Sequence, residues 1–298
     1  MEQKDILSIF GINSTESIEQ VYKSAWSIDD KYILKKNSDQ NQLNKSIMLS
    51  ELLLKENICV PEYIKTSDGK PYIQADETYY VLMKKFNGHH IDPYTGNSYE
   101  NGIMLGGIVA DLHMALGKIS NNFECYDADY IQELKGWIME ELKVKNIQVT
   151  QEIINYCYES ETLYKTLPRQ LIHRDIHLGN LLFKGNNFVG YLDFDISQKN
   201  ARILDICYLG ATMLVGNYTN DSRLKRWCEI FRGVLFGYGK KLKLTENEIT
   251  AIPNMFILIE LTFSAFFSQI GQQDLSVSCI DMTEWLYRNK YKIVDLTK

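Results

Sequence analysis

Hydrophobic positions change their period about a third of the way along the chain. Residues 19–36, EQVYKSAWSIDDKYILKK, interleave β-branched and aromatic residues with polar ones around an Asp-Asp pair, which predicts two strands joined by a tight turn. NQLNKSIMLSELLLKEN then sets Leu43, Ile47 and Leu54 at helical spacing, and Val60-Pro61 ends that helix. GKPYIQADETYYVLMKKF predicts a further pair of strands. Up to residue 86 the order is strand, strand, helix, strand, strand.

Beyond NGHH the spacing becomes helical over 99–116, 127–142, 150–167 and almost everything after Leu204. Short apolar runs interrupt it. LIH, NLLF and VGYLD read as buried strands bounded by a loop, and LLFK with FVGYL predicts a hairpin about GNN. A boundary at Asn87 and Gly88 divides a small β-rich region, 1–87, from a larger helical one, 88–298. The expected fold class is α+β: a small antiparallel sheet with one helix, then a mainly helical lobe, with a ligand cleft between them as the default site.

Charge narrows the partners. A formal net charge of -6 and a pI near 5.5, with no Lys/Arg-rich run, argue against a nucleic-acid binder that works by phosphate neutralisation and favour small or cationic ligands. The six cysteines are scattered singly without a CxxC pair, so neither a zinc site nor a redox motif is expected. MEQKDILSIFG is charged from the start and does not read as a signal peptide, and the longest apolar run, MFILIELTFSAFF, contains Glu260 and is short for a bilayer. A cytoplasmic protein without a membrane partner is expected; the sequence says nothing of its oligomeric state.

The chemistry gathers in LIHRDIHLGNLLF and the GYLDFDIS that follows. Asp175 and Asn180 stand five positions apart in one loop, and Asp193 comes 18 positions after Asp175. If the intervening runs pair as a hairpin, Asn180 and Asp193 return beside each other. Hard oxygen donors of this kind suit Mg²⁺, which keeps waters and bridges phosphates, while a nearby carboxylate can accept the proton of an attacking hydroxyl. Asp175 is the candidate base, and Asn180 and Asp193 are the candidate metal ligands.

HRDIHLGNLLF with YLDFD resembles the catalytic loop and metal motif of the aminoglycoside phosphotransferase-like kinases, relatives of protein kinases that include choline and homoserine kinases. Other segments are similar in order: YILKK, YYVLMKKFNG, LGGIVADLHMAL and RILDICYL, so the resemblance spans about 17–214. It implies a two-lobed protein-kinase-like fold and transfer of the γ-phosphoryl group of ATP or GTP to a hydroxyl of a small molecule, with Mg²⁺. Lys35, with Lys36 as its neighbour, would meet the nucleotide phosphates. The segment 83–86, with Met83 and Lys85, would border the base, and Asp205 would buttress the catalytic loop.

Two departures accompany the resemblance. The small-lobe helix of these kinases usually carries a Glu that pairs with the phosphate lysine, and here Ser46 occupies the best-fitting position. The phosphate-covering turn is not glycine-rich; NSTESIEQVY offers hydroxyls instead, with Ser17 the candidate. His173 reads as a loop support, Asp195 as the cap of the following turn or else a contact to metal through water, and His113 is assigned no role. The short stretch from Asp193 to Asp205 leaves little platform for a peptide, so the acceptor is expected to be an antibiotic, amino alcohol or sugar-like metabolite. The alternative is a nucleotide-binding sensor that does not transfer phosphate, suggested by the missing helix Glu.

Overall fold

The computed structural model describes residues 3–296. The chain begins with α1 (Gln3–Ile9), β1 (Ile18–Tyr22), β2 (Ala25–Ile28), β3 (Tyr32–Asn37) and α2 (Gln40–Lys55), then β4 (Tyr63–Ile64), β5 (Ile73–Ala75) and β6 (Thr78–Lys84). Next come α3 (Ser98–Ile119), α4 (Tyr130–Glu133), α5 (Met139–Val144), α6 (Gln151–Glu159) and α7 (Glu161–Tyr164). Four short strands follow, β7 (Arg169–Ile172), β8 (Leu181–Lys184), β9 (Asn187–Tyr191) and β10 (Gln198–Ala201). The remainder is helical: α8 (Ile203–Leu214), α9 (Asp221–Gly239), α10 (Glu246–Gln269), α11 (Gln273–Arg288) and α12 (Lys290–Asp295). The α+β class expected from the hydrophobic pattern is the one observed.

The backbone divides into two compact units. One comprises the chain up to Ile91 together with Gly179–Ile196; the other comprises Asp92–Leu178 together with the chain from Ser197 onward. The β8–β9 hairpin thus groups with the N-terminal strands, whereas the division drawn from the sequence at Asn87 and Gly88 left it with the helical region.

In the first unit an antiparallel sheet has the order β1-β2-β3-β6-β4, with β5 also paired to β6. Residues 19–36 make parts of three strands rather than two. The expected reversal at Asp29-Asp30 is present, both residues having positive φ, but a second reversal occurs at Lys23-Ser24. Lys is not a turn former and Ser is a weaker one than Gly, Asn or Asp, so the alternation reads straight through that bend. Strand periodicity then assigns the two faces. Leu34 and Leu82 pack with Ile6, Leu7 and Phe10 on the α1 side, while Val81 packs with Leu43 and Ile47 of α2. Because Lys35 is the cross-strand partner of Val81, it lies on the face turned to α2.

The hairpin pairs Leu181 with Tyr191 and Lys184 with Asn187, reversing at Gly185, whose φ of 60° suits glycine. It is fastened to its own unit by backbone hydrogen bonds, Tyr191 N–H to Cys59 O at 2.9 Å and a reciprocal pair between His89 and Phe183 at 2.8 Å. Gly190 sits under the Phe86 ring, where a Cβ would lie 2.7 Å from a ring carbon.

The second unit is a helical assembly with one two-stranded sheet, β7 against β10. Helices α3 and α9 meet backbone to backbone: a Cβ on Gly102 would be 2.0 Å from Ile230 O, and one on Gly233 would be 2.2 Å from Tyr99 O. Trp227, Phe231 and Phe256 form a buried aromatic cluster between α9 and α10, and the Trp227 indole N–H donates to Gly210 O at 2.8 Å. The apolar run judged short for a bilayer belongs to a longer helix. By length and composition, 98–122 and Glu246–Gln269 could each cross a membrane, yet 61% and 78% of their apolar windows are buried inside the fold, as in core helices.

Candidate active site

Each unit carries one part of the predicted constellation. In the first, Leu192 N–H donates to Asn180 O at 2.9 Å, so the hairpin pairing continues past β8 and β9 and brings the two ends together as expected. Asn180 is buried. Asp193 follows immediately, and its φ of 59° breaks the strand and turns the chain. Left-handed backbone is uncommon outside glycine, with Asp and Asn the more tolerant residues.

Lys35 reaches this turn from β3. Its Nζ lies 3.3 Å from Asp193 Oδ1 and 2.7 Å from Asp195 Oδ2. Burial opposes the ammonium charge, but the two carboxylates outweigh it and raise the Lys35 pKa. The charge is therefore retained at any working pH. Lys36 points to the other face and is exposed, its Nζ 5.8 Å from the Trp26 ring centre, so Lys35 is the lysine that meets the acidic pair. Tyr63, pushed well above its ordinary pKa by burial and then by Asp195 and Asp193, is a neutral phenol beside them.

Asp195 does more than cap a turn. Its Oδ1 accepts the Ser46 hydroxyl at 2.9 Å, and its backbone carbonyl accepts Gln42 Nε2 at 3.1 Å. Both donors come from α2, the helix that lacks the expected Glu. The sequence contained the signal, since the second acid of Asp-Phe-Asp stands two positions from Asp193, but only the sheet register shows which lysine it faces.

The remaining nucleotide candidates occupy defined places. Ser17 is half-buried, and its N–H, like that of Glu16, donates to Asp29 Oδ1, at 2.8 and 2.7 Å respectively. That leaves its hydroxyl as the group it can offer a phosphate. Met83 is buried in β6 opposite Ile33. Lys85 donates its N–H to Lys31 O at 2.8 Å, and its ammonium is held by Ser27 and Asp30. Its side chain is therefore engaged within the sheet, and its free backbone contribution is the carbonyl.

The donor set can be judged by its chemistry. Among the described residues no cluster of three or more His, Cys, Asp or Glu could hold a metal by itself. Mg²⁺ does not need one, because it binds through one or two carboxylates and takes its other oxygens from water and phosphate. The half-exposed Asp193 carboxylate and the Asn180 amide oxygen at the end of one hairpin fit that pattern.

The second unit holds the loop after β7 that carries Asp175, the candidate base. Asp205, fully buried in α8, accepts His173 N–H on Oδ2 and Arg174 N–H on Oδ1, both at 2.8 Å. This is the buttress expected of it. Oδ2 also meets His113 Nε2 at 3.0 Å, and His113 Nδ1 meets the Tyr238 hydroxyl at 2.9 Å. His113, given no role from the sequence, is thus part of the loop's support. Arg174 has a φ of 75°, and these contacts hold it in that conformation.

Asp175 follows Arg174 and is partly exposed. Tyr208 of α8 donates to its Oδ1 at 2.6 Å, and His177 Nε2 stands 3.8 Å from Oδ2. Burial, reinforced by the Asp175 charge, pushes the Tyr208 pKa far up, so the phenol stays a donor. The Asp175 N–H donates to His173 Nδ1 at 3.3 Å, so the His173 ring contacts the backbone of the loop it belongs to.

Comparison with known proteins follows the same lines. Residues 13–239 match the model of the Phosphotransferase enzyme family. A homoserine kinase from Zymomonas mobilis is 24% identical over 251 residues, 83% of this chain and 76% of that protein. Among solved structures, a variant of aminoglycoside 2′-phosphotransferase-IIIa bound to GDP superposes with a TM-score of 0.70 at 16% identity, covering 96% of each chain. An amicoumacin kinase in complex with AMP-PNP, Ca²⁺ and Ami gives a TM-score of 0.68 at 16% identity, over 99% of this chain and 94% of that one. The fold is the one these proteins share.

Proposed function

Because the chain belongs to the Phosphotransferase enzyme family, and is a phosphotransferase acting on small-molecule hydroxyls, we propose that it moves the γ-phosphoryl group of ATP or GTP to an amine-bearing alcohol in an Mg²⁺-dependent reaction. Lys35 binds the phosphates, and the Ser17 hydroxyl assists from the turn before β1. Asn180 and Asp193 would hold the cation, which would supply charge neutralisation at the phosphates when bound. The purine edge lies along the segment from Met83 to Phe86.

Asp175 orients the acceptor hydroxyl and takes its proton. The acceptor oxygen forms a bond to the γ-phosphorus while the bond to the bridging oxygen breaks, and ADP or GDP leaves. Most of the rate enhancement in such a scheme comes from positioning and charge stabilisation. The observation that carries the reading is the meeting of Lys35 with Asp193, 158 positions apart, at the open end of the β8–β9 hairpin. Homoserine and aminoglycosides, named by the relatives, share an amine near a hydroxyl, which supports the acceptor class.

A nucleotide sensor without transfer was suggested by the absence of a helix Glu. Asp195 supplies Lys35 with a carboxylate partner, which removes that motive. The test is a panel of amino alcohols, aminoglycosides and sugars incubated with ATP or GTP and Mg²⁺, read as ADP or GDP release. At least one acceptor is expected to stimulate release. Nucleotide binding without Mg²⁺-dependent transfer or hydrolysis would favour the sensor.

A further inference from the structure

Two carboxylates share Lys35, and their surroundings differ. Asp193 is the farther, at 3.3 Å, and its side chain is 46% exposed; Asp195 is the nearer, at 2.7 Å, and only 20% exposed. Asp195 is also fixed from α2 by the Ser46 hydroxyl at 2.9 Å and by Gln42 at 3.1 Å, with Ser46 itself buried. A charge-assisted hydrogen bond to an immobilised, less hydrated carboxylate holds a flexible lysine more firmly than one to a half-exposed carboxylate.

The geometry points to a division of labour, in which Asp195 is the positioning residue that keeps Lys35 at the nucleotide phosphates while Asp193 is given over to the cation. This rests on the reading of Lys35 as a phosphate ligand. A cation on Asp193 would compete with Lys35 for that carboxylate, and without Asp195 the ammonium would lose its tether when it has to meet phosphate. Ser46 and Gln42 transmit the position of α2 to Lys35 through Asp195, so a helix with Ser rather than an acid at that position, its one acid being Glu51, still sets the lysine.

The experiment measures equilibrium binding of a fluorescent ATP or GTP analogue, with and without Mg²⁺, alongside steady-state kinetics. Asp195→Asn is expected to weaken nucleotide binding about tenfold in both conditions, the loss of one charge-assisted bond, and to leave the Mg²⁺ concentration for half-maximal activity unchanged. Asp193→Asn is expected to raise that Mg²⁺ concentration. The Asp195→Asn effect should vanish in a Lys35→Met background, and Ser46→Glu combined with Asp195→Ser should recover affinity to within about threefold of wild type. If Asp195→Asn does not fold, as judged by its melting curve, Ser46→Ala carries the test, with a smaller weakening in the same direction. Unchanged nucleotide affinity with an altered Mg²⁺ requirement would make Asp195 a metal ligand and overturn the inference alone. A wild-type chain that binds no nucleotide would overturn both this inference and the functional reading.

Discussion

The Tyr208 hydroxyl donates to Oδ1 of Asp175 over 2.6 Å, from a helix to the loop it supports. One carboxylate oxygen is thereby fixed by a phenol that burial keeps protonated. Tyr208→Phe removes this restraint without changing the ring, so kcat is expected to fall about tenfold, the cost of one hydrogen bond to a charged group, with the nucleotide KM unchanged. Steady-state kinetics on both substrates check this; an equal rise in nucleotide KM would place Tyr208 elsewhere in the mechanism.

Asp205 collects donors from His173, Arg174 and His113 with no solvent around it. Truncation to Ala strands all of them. A loss of roughly 3–5 kcal/mol in unfolding free energy is expected for Asp205→Ala, and a smaller one for Asp205→Asn, which keeps one acceptor oxygen. Urea titration of the two variants measures the difference.

These two sites show what a linear reading captures. The hairpin was legible because LLFK and FVGYL are apolar and flank a Gly-Asn-Asn turn. Helix α2 was legible from its spacing and from Val60-Pro61. The β7–β10 pair was not, because Gln198, Lys199 and Asn200 carry no apolar alternation and find their partner 26 or more residues away. The lysine's partner was missed for a related reason: Ser46 and Asp195 are joined across 149 positions by a register that local sequence does not specify. Conversely, the left-handed turn at Asp29-Asp30 was readable because Asp tolerates that conformation.

Helices α3 and α9 pack through glycine. Gly102→Ala would drive a methyl to 2.0 Å from Ile230 O and force the helices apart. A loss of about 1–3 kcal/mol or more is expected. Gly239→Ala, where nothing lies within 4 Å of the added carbon, is expected to be neutral or slightly stabilising. Melting temperatures of the pair test whether close approach, rather than helix propensity, requires glycine at Gly102.

Glu260 is buried in α10, and neither carboxyl oxygen makes a regular hydrogen bond. Burial raises its pKa from an ordinary 4.5 to about 8. Because the folded chain holds this proton more tightly than the unfolded chain, stability from this group is fully present below about 4.5 and declines as pH rises through about 8. Glu260→Gln has no such proton to lose. Its melting temperature relative to wild type is expected to improve steadily from pH 5 to pH 8.5, and a difference independent of pH would contradict the assignment.

The base assignment is tested by measuring nucleotide affinity and single-turnover phosphoryl transfer for Asp175→Asn beside wild type, with an acceptor identified by the panel. Nucleotide affinity is expected to stay within about twofold of wild type and the transfer rate to fall by about 10²–10⁴-fold, the range for loss of a general base. Transfer at a near wild-type rate would contradict the base assignment.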